Sequence, residues 1–226
     1  MTSANRKRII RKITALVVLT GVFLFPVLNA FVGGAAASQG GVLDTTWPAW
    51  RGFTANTTLV APDGKIWVGD AGGTVAFNTT GSVLFSHWEG WTPWSFAVQE
   101  TASGTFILVG TNGVMFRYSQ AGTKDTTFGG GQTGTHNAIL VNGTGTSQRI
   151  FAAAGNDFKR YSANGAIEAT VSIGSSVNAL AAQSVGATDY ILVGGAFGLK
   201  RYTTGSVIDS AFTANPGATV RAIKVQ

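Results

Sequence analysis

The residues best equipped for chemistry in this 226-residue chain are two histidines, ten carboxylates and six tryptophans. With no cysteine, disulfides, thiolate nucleophiles and cysteine metal sites are excluded. Neither His87 nor His136 has a Gly-x-Ser-x-Gly turn beside it, so a serine nucleophile with its base has no local signature. No cluster of His, Asp and Glu has metal-ligand spacing, and no metal or other cofactor is expected. Glycoside hydrolysis needs two carboxylates flanking one bond. Asp44, Asp125, Glu168 and Asp209, however, occupy one recurring place, which reads as a turn capped by its own side chain. Phe128-Gly-Gly-Gly131 lacks a following Lys-Ser/Thr and a helix, so it is a turn and not a phosphate loop. An enzyme, such as a lyase or hydrolase, would need a site assembled from distant segments, with His87 or His136 beside two carboxylates.

Tryptophan gives the strongest binding signal. All six lie between positions 47 and 94, and three fall in His87-Trp88-Glu-Gly-Trp91-Thr-Pro-Trp94. Flat aromatic faces stack on sugars and on apolar ligands. Trp47 and Trp88 belong to a repeated aromatic column, whereas Trp91 and Trp94 do not. Either these two pack an irregular loop against a sheet, or the Trp88–Trp94 region is a platform for a glycan. Arg117, Arg160 and Arg201 recur in the same way. Either their stems cover apolar surface with the charge in water, or they form an anion or partner patch. Trp91, Trp94, Arg117, Arg160 and Arg201 are thus the candidate ligand-binding residues.

What must position them is a repeat of about 41 residues. An acidic residue followed three places later by an aromatic occurs as Asp44-Thr-Thr-Trp47, Asp125-Thr-Thr-Phe128 and Asp209-Ser-Ala-Phe212, with weaker copies ending at Trp88 and Val171. A hydrophobic run closes on glycine at Gly69, Gly110, Gly155 and Gly194. An aromatic ends the next run at Phe77, Tyr118, Tyr161 and Tyr202. Each period reads as four short strands separated by turns such as Pro62-Asp63-Gly64 and Asp70-Ala-Gly-Gly73. No segment after Ala37 has apolar residues at helical spacing over three turns. Four strands in some 40 residues mark a propeller blade. The expectation is therefore an all-β chain, a β-propeller of four-stranded antiparallel blades. The periods run over about 40–79, 80–120, 121–163 and 164–204, with a partial fifth at 205–226, in a truncated or open ring. The aromatic columns should fill the gaps between blades.

The N-terminus reads as an address. Residues 1–12 carry Arg6, Lys7, Arg8, Arg11 and Lys12, residues 13–25 are apolar, and Ala35-Ala36-Ala37-Ser38 offers small residues for a cut. Residues 1–37 are expected to be a signal peptide, with an uncleaved membrane anchor as the alternative. In both cases residues 38–226 lie outside the cytoplasm, secreted or at the cell surface. Beyond Ala37 the eleven basic and ten acidic residues nearly cancel, so the overall charge of +6 marks no nucleic-acid surface.

Pro62-Asp-Gly-Lys-Ile-Trp-Val-Gly69, together with Gly40-Gly-Val-Leu-Asp-Thr-Thr-Trp47 and Gly122-Thr-Lys-Asp-Thr-Thr-Phe128, resembles the delta-60 repeats of secreted bacterial proteins of unknown function. The resemblance covers about residues 40–226 and implies a propeller and export, with no catalytic residues to carry over. The later copies depart from it, having Glu100-Thr-Ala-Ser-Gly-Thr105, Asn142-Gly-Thr-Gly-Thr146 and Ser184-Val-Gly-Ala-Thr188 in place of the Pro-Asp-Gly-Lys turn. The function expected is a non-catalytic scaffold that binds an extracellular protein or glycan.

Overall fold

The computed structural model describes residues 54–129, 133–214 and 216–226. The expected leader, residues 1–37, and the Asp44–Trp47 motif lie outside the described residues. Of the two compact units of the chain, the one treated below comprises residues 55–79 and 83–226.

Its strands form four consecutive antiparallel meanders. Blade 1 is β1 (Thr57–Val60), β2 (Ile66–Gly69), β3 (Thr74–Phe77) and β4 (Val83–His87). Blade 2 is β5 (Pro93–Thr101), β6 (Gly104–Thr111) and β7 (Met115–Ser119). Blade 3 is β8 (His136–Asn142), β9 (Arg149–Ala154), β10 (Asp157–Ser162) and β11 (Ile167–Ser172). Blade 4 is β12 (Val177–Val185), β13 (Thr188–Gly195) and β14 (Gly198–Thr203). First strands contact one another in order, β1 with β5, β5 with β8 and β8 with β12, so they lie innermost. This is the architecture of a propeller, and among the described residues the sheets do not close into a ring.

The alternation of each strand explains why blades stack. Successive side chains point to opposite faces, and the second strands of blades 2 and 3 each feed two gaps. Ile107 and Val109 join Trp67, Ala76 and Tyr118 between blades 1 and 2. Leu108 joins Met115, Phe128, Ile150 and Tyr161 between blades 2 and 3. Phe151 and Ala153 join Phe158, Val177, Ile191, Val193 and Tyr202 between blades 3 and 4. The core is thus three apolar gaps, one for each pair of neighbouring blades.

Blades 1 and 3 are four-stranded, while in blades 2 and 4 the fourth strand shrinks to single bridges, Tyr118 with Lys124 and Tyr202 with Ile208. The cause is the aspartate that follows. Asp125 accepts the N–H of Thr127 at 2.8 Å, and Asp209 accepts that of Ala211 at 3.0 Å. Such a turn diverts the chain after one pair. In blade 3 the equivalent residue is Glu168, and the strand continues.

Three expectations are corrected. The column glycine of blade 3 is not Gly155: Ala153 pairs with Ala138 as Gly110 pairs with Ser95, and Gly155 sits in the next turn at φ +67°. The aromatic column does not fill every gap either. Phe128 is 7% exposed but Trp88 is 63% exposed, because β4 runs on to His87 and carries Trp88 past the sheet. Phe85 takes the inward place, half-buried, with its ring 5.0 Å from that of Trp67. Residues 218–226, expected to be a strand, pair with no strand among the described residues.

Candidate functional site

The segment joining blades 1 and 2 holds the exposed tryptophans. Trp88, Trp91 and Trp94 are 63%, 40% and 45% exposed. Trp88 lies over Gly72 in the β2–β3 turn, where an added Cβ would stand 3.1 Å from its ring. Trp91 lies over Gly113 in the β6–β7 turn, where the same atom would stand 2.1 Å from its ring. Both turns occupy the same end of neighbouring blades. Thr92 is tied to both turns. Its hydroxyl donates to the carbonyl of Ala71 at 2.9 Å, and its N–H donates to Oδ1 of Asn112, also at 2.9 Å. The turns are held in turn by Asp70, which accepts the N–H groups of Gly72 and Gly73, and by the Thr111 hydroxyl, which accepts those of Gly113 and Val114. The result is a pinned ledge of aromatic faces whose rings have little freedom to lose on binding.

Trp94 sits at the register shift in β5 between Pro93 and Ser95. Asn137 and Asn178 occupy the same shift in β8 and β12. Each asparagine donates to the next blade, Asn137 to the carbonyl of Val177 at 2.8 Å and Asn178 to that of Val220 at 3.4 Å. In blade 2 the Ser95 hydroxyl makes this link instead, to the carbonyl of His136 at 2.8 Å. Trp94 is thereby released from the structural duty of its column. Sequence reading missed this column, because the shift hides it from simple alternation.

The three arginines are not brought together with the tryptophans. The guanidinium of Arg117, 7% exposed, lies between the rings of Phe106 and Phe128 at 4.7 and 4.6 Å. It reaches Asp125 at 2.6 and 2.8 Å and the Gln99 carbonyl at 3.1 Å. Gln99, fully buried, donates to Gln148 and to the carbonyl of Ala163. Arg160 pairs with Glu168 at 3.1 Å and donates to the carbonyl of Thr204 in blade 4. Arg201 pairs with Asp209 and Gln183. Burial pushes the Asp125 carboxyl up, but hydrogen bonds from Thr127 and Arg117 outweigh it and bring it down to about 2. The arginines act as clamps within and between blades. The glutamines behind them gave no sequence signal, since a single polar residue in an alternating strand looks like an outward-facing one.

The histidines also stay apart. His136 is fully buried at the start of β8, its Nε2 3.4 Å from the Tyr161 hydroxyl. Burial, with Lys159 adding to it, pulls its pKa down to about 4. His87 stacks on Tyr118 with centroids 4.8 Å apart. Tyr118 and Lys124 both donate to Glu89. Burial alone would raise the Glu89 carboxyl, yet these bonds hold it below its usual value. Neither histidine faces two carboxylates, and among the described residues no three His, Asp or Glu groups gather as a metal site. At the end away from the tryptophans, a cleft of about 390 Å³ between blades 3 and 4 is lined by Asn142, Arg149, Asp189 and Thr204.

No family model and no curated protein matches the chain. Solved structures do. BBS1N in complex with ARL6DN is 17% identical with a TM-score of 0.58, over 78% of this chain and 60% of that one. BamB from Moraxella catarrhalis is 16% identical with a TM-score of 0.57, over 82% and 56%. A protein of unknown function from Bacteroides caccae is 11% identical with a TM-score of 0.53, over 82% and 72%. At such identities the likeness is one of fold. The chain spans little more than half the length of the first two.

Proposed function

We propose that this chain is an exported, non-catalytic β-propeller scaffold that meets a protein partner at the end carrying Trp88, Trp91 and Trp94. The observation behind this reading is the pinned ledge. Three large rings are exposed on a segment of seven residues, although the other described aromatics of blades 1 and 2 are buried or half-buried. Exposed apolar patches held rigid in this way mark interaction surfaces. Export rests on the basic, apolar and small-residue pattern of residues 1–37, and the Asp-Thr-Thr-aromatic turns support a place among the delta-60 repeats. BBS1N, a structural neighbour, was solved with a protein partner. Fold alone does not carry that role over.

A glycan is the second reading. It is favoured by the way Trp88 and Trp91 lie against glycine backbone and stay exposed, with uncharged Thr92 and Asn112 linking the two turns they cover. Affinity electrophoresis in a panel of polysaccharides separates the two. Slower migration that Trp91→Ala and Trp94→Ala abolish supports the glycan. Migration unchanged in every gel, or slowed equally in parent and variants, removes it.

A further inference from the structure

Blade 4 repeats the clamp of blade 2. Gln99, Phe106, Arg117, Asp125 and Phe128 return 84 positions later as Gln183, Tyr190, Arg201, Asp209 and Phe212. Inside the blade the contacts match. Arg201 reaches Asp209 at 2.6 and 2.7 Å and Gln183 at 3.1 Å, between the rings of Tyr190 and Phe212 at 4.4 and 4.7 Å.

The far sides differ. From blade 2, Arg117 and Gln99 donate to the Ala163 carbonyl of blade 3 at 2.9 and 2.8 Å, and Gln99 also reaches Gln148 at 2.9 Å. Beside blade 4, no described residue stands in the places of Gln148 and Ala163. The innermost place, by contrast, is filled by the chain itself. The Val220 N–H donates to the Gly195 carbonyl at 3.0 Å, and Val220 and Ile223 pack on Gly194 as His136 and Ile139 pack on Gly110.

We propose that this face of blade 4 is a docking surface for a β-sheet partner built like blade 3. The partner brings a primary amide to the place of Gln148 and a turn carbonyl to the place of Ala163, and pairs its first strand with residues 220–226. The chemistry selects a neutral acceptor. Asp209 already balances Arg201, so an anion gains little, whereas the free N–H groups of the guanidinium and of Gln183 match main-chain carbonyls.

The test uses the full chain with residues 143–172 appended after Gln226. Those residues follow Asn142, which stands six places after His136 just as Gln226 stands six after Val220, so β9–β11 arrive in register. The expected result is one unfolding transition raised by about 3 °C or more, with the appended strands resistant to protease. Gln183→Ala and Arg201→Lys should each remove at least half of that rise, while lowering the parent chain less. Appended strands that stay protease-sensitive, or variants that lower both chains equally, overturn the proposal. So does a concentration-dependent dimer of the parent that Arg201→Lys abolishes, since a second copy would then be the occupant.

Discussion

A guanidinium nitrogen of Arg117 donates to the main-chain carbonyl of Ala163 at 2.9 Å, across the gap between blades 2 and 3. The same side chain neutralises Asp125 and is roofed by two aromatic rings. One residue thus ties the turn after its own blade to the turn of the next.

Removing Arg117 leaves Asp125 and Gln99 with lost partners in a largely buried place. Arg117→Ala should cost about 3–5 kcal/mol in a denaturant titration, the range for breaking one side of a buried pair. Arg117→Lys should recover little of it, because an ammonium has no planar fork. A loss below about 1 kcal/mol for Arg117→Ala would place the guanidinium in solvent.

Phe128 covers that guanidinium and joins Ile150 and Tyr161 in the gap. Phe128→Ala is expected to cost roughly 3–5 kcal/mol. By contrast Trp88→Ala, at an exposed position, should stay within about 0.5 kcal/mol. Equal costs for the two would contradict the distinction drawn between them.

The all-β character and the turns were legible because they rest on local residue types: Gly and Asp in turns, β-branched and aromatic residues in strands. What was not legible lay in contacts between periods. Gln99 and Gln148 look like ordinary outward polar residues until two blades are stacked. The Trp94, Asn137 and Asn178 column is hidden by a register shift. Gly155 does not hold the column place because the run matching Ile107-Leu-Val-Gly110 is Ile150-Phe-Ala-Ala153, which ends on alanine two residues before the glycine that the eye picks out. The ledge was legible as a cluster of tryptophans, but its pinning through Thr92 depends on two turns some 20 residues away on either side.

Close approach explains the glycine of the second strand. A Cβ on Gly110 would stand 2.5 Å from Oγ of Ser95 and 2.8 Å from Cβ of His136. Gly110→Ala should therefore destabilise by about 1–3 kcal/mol through overpacking. Thermal melts showing no loss would mean that the first strand of blade 3 lies farther away.

Acid sensitivity should come chiefly from His136 and Asp125, the two most strongly lowered groups. His136 has its pKa lowered from 6.5 to about 4, so its stabilising effect is complete above pH 6.5 and is lost as the pH falls toward 4. This amounts to roughly 3 kcal/mol. Asp125, lowered from 3.8 to about 2, adds stability that is complete above pH 3.8 and lost as the pH falls through 2. NMR titration should find His136 protonating near pH 4. A midpoint near 6.5 in the folded chain would contradict its burial.

The account rests most on one claim, that the chain leaving one blade packs its next inner segment against the small residue, glycine or alanine, near the end of that blade's second strand, and that residues 220–226 do the same against blade 4. A pair of cysteines tests it directly in a chain that has none. A Cβ on Gly194 would lie 2.9 Å from that of Val220, and a disulfide needs about 3.5–4.5 Å, a gap that residues 216–226, paired with no strand, can open. Gly194→Cys with Val220→Cys should cross-link in air, read as loss of free thiol in the folded protein and a faster band on non-reducing gels. Two free thiols persisting under oxidant in the folded chain would contradict the stacking from which the whole arrangement is built.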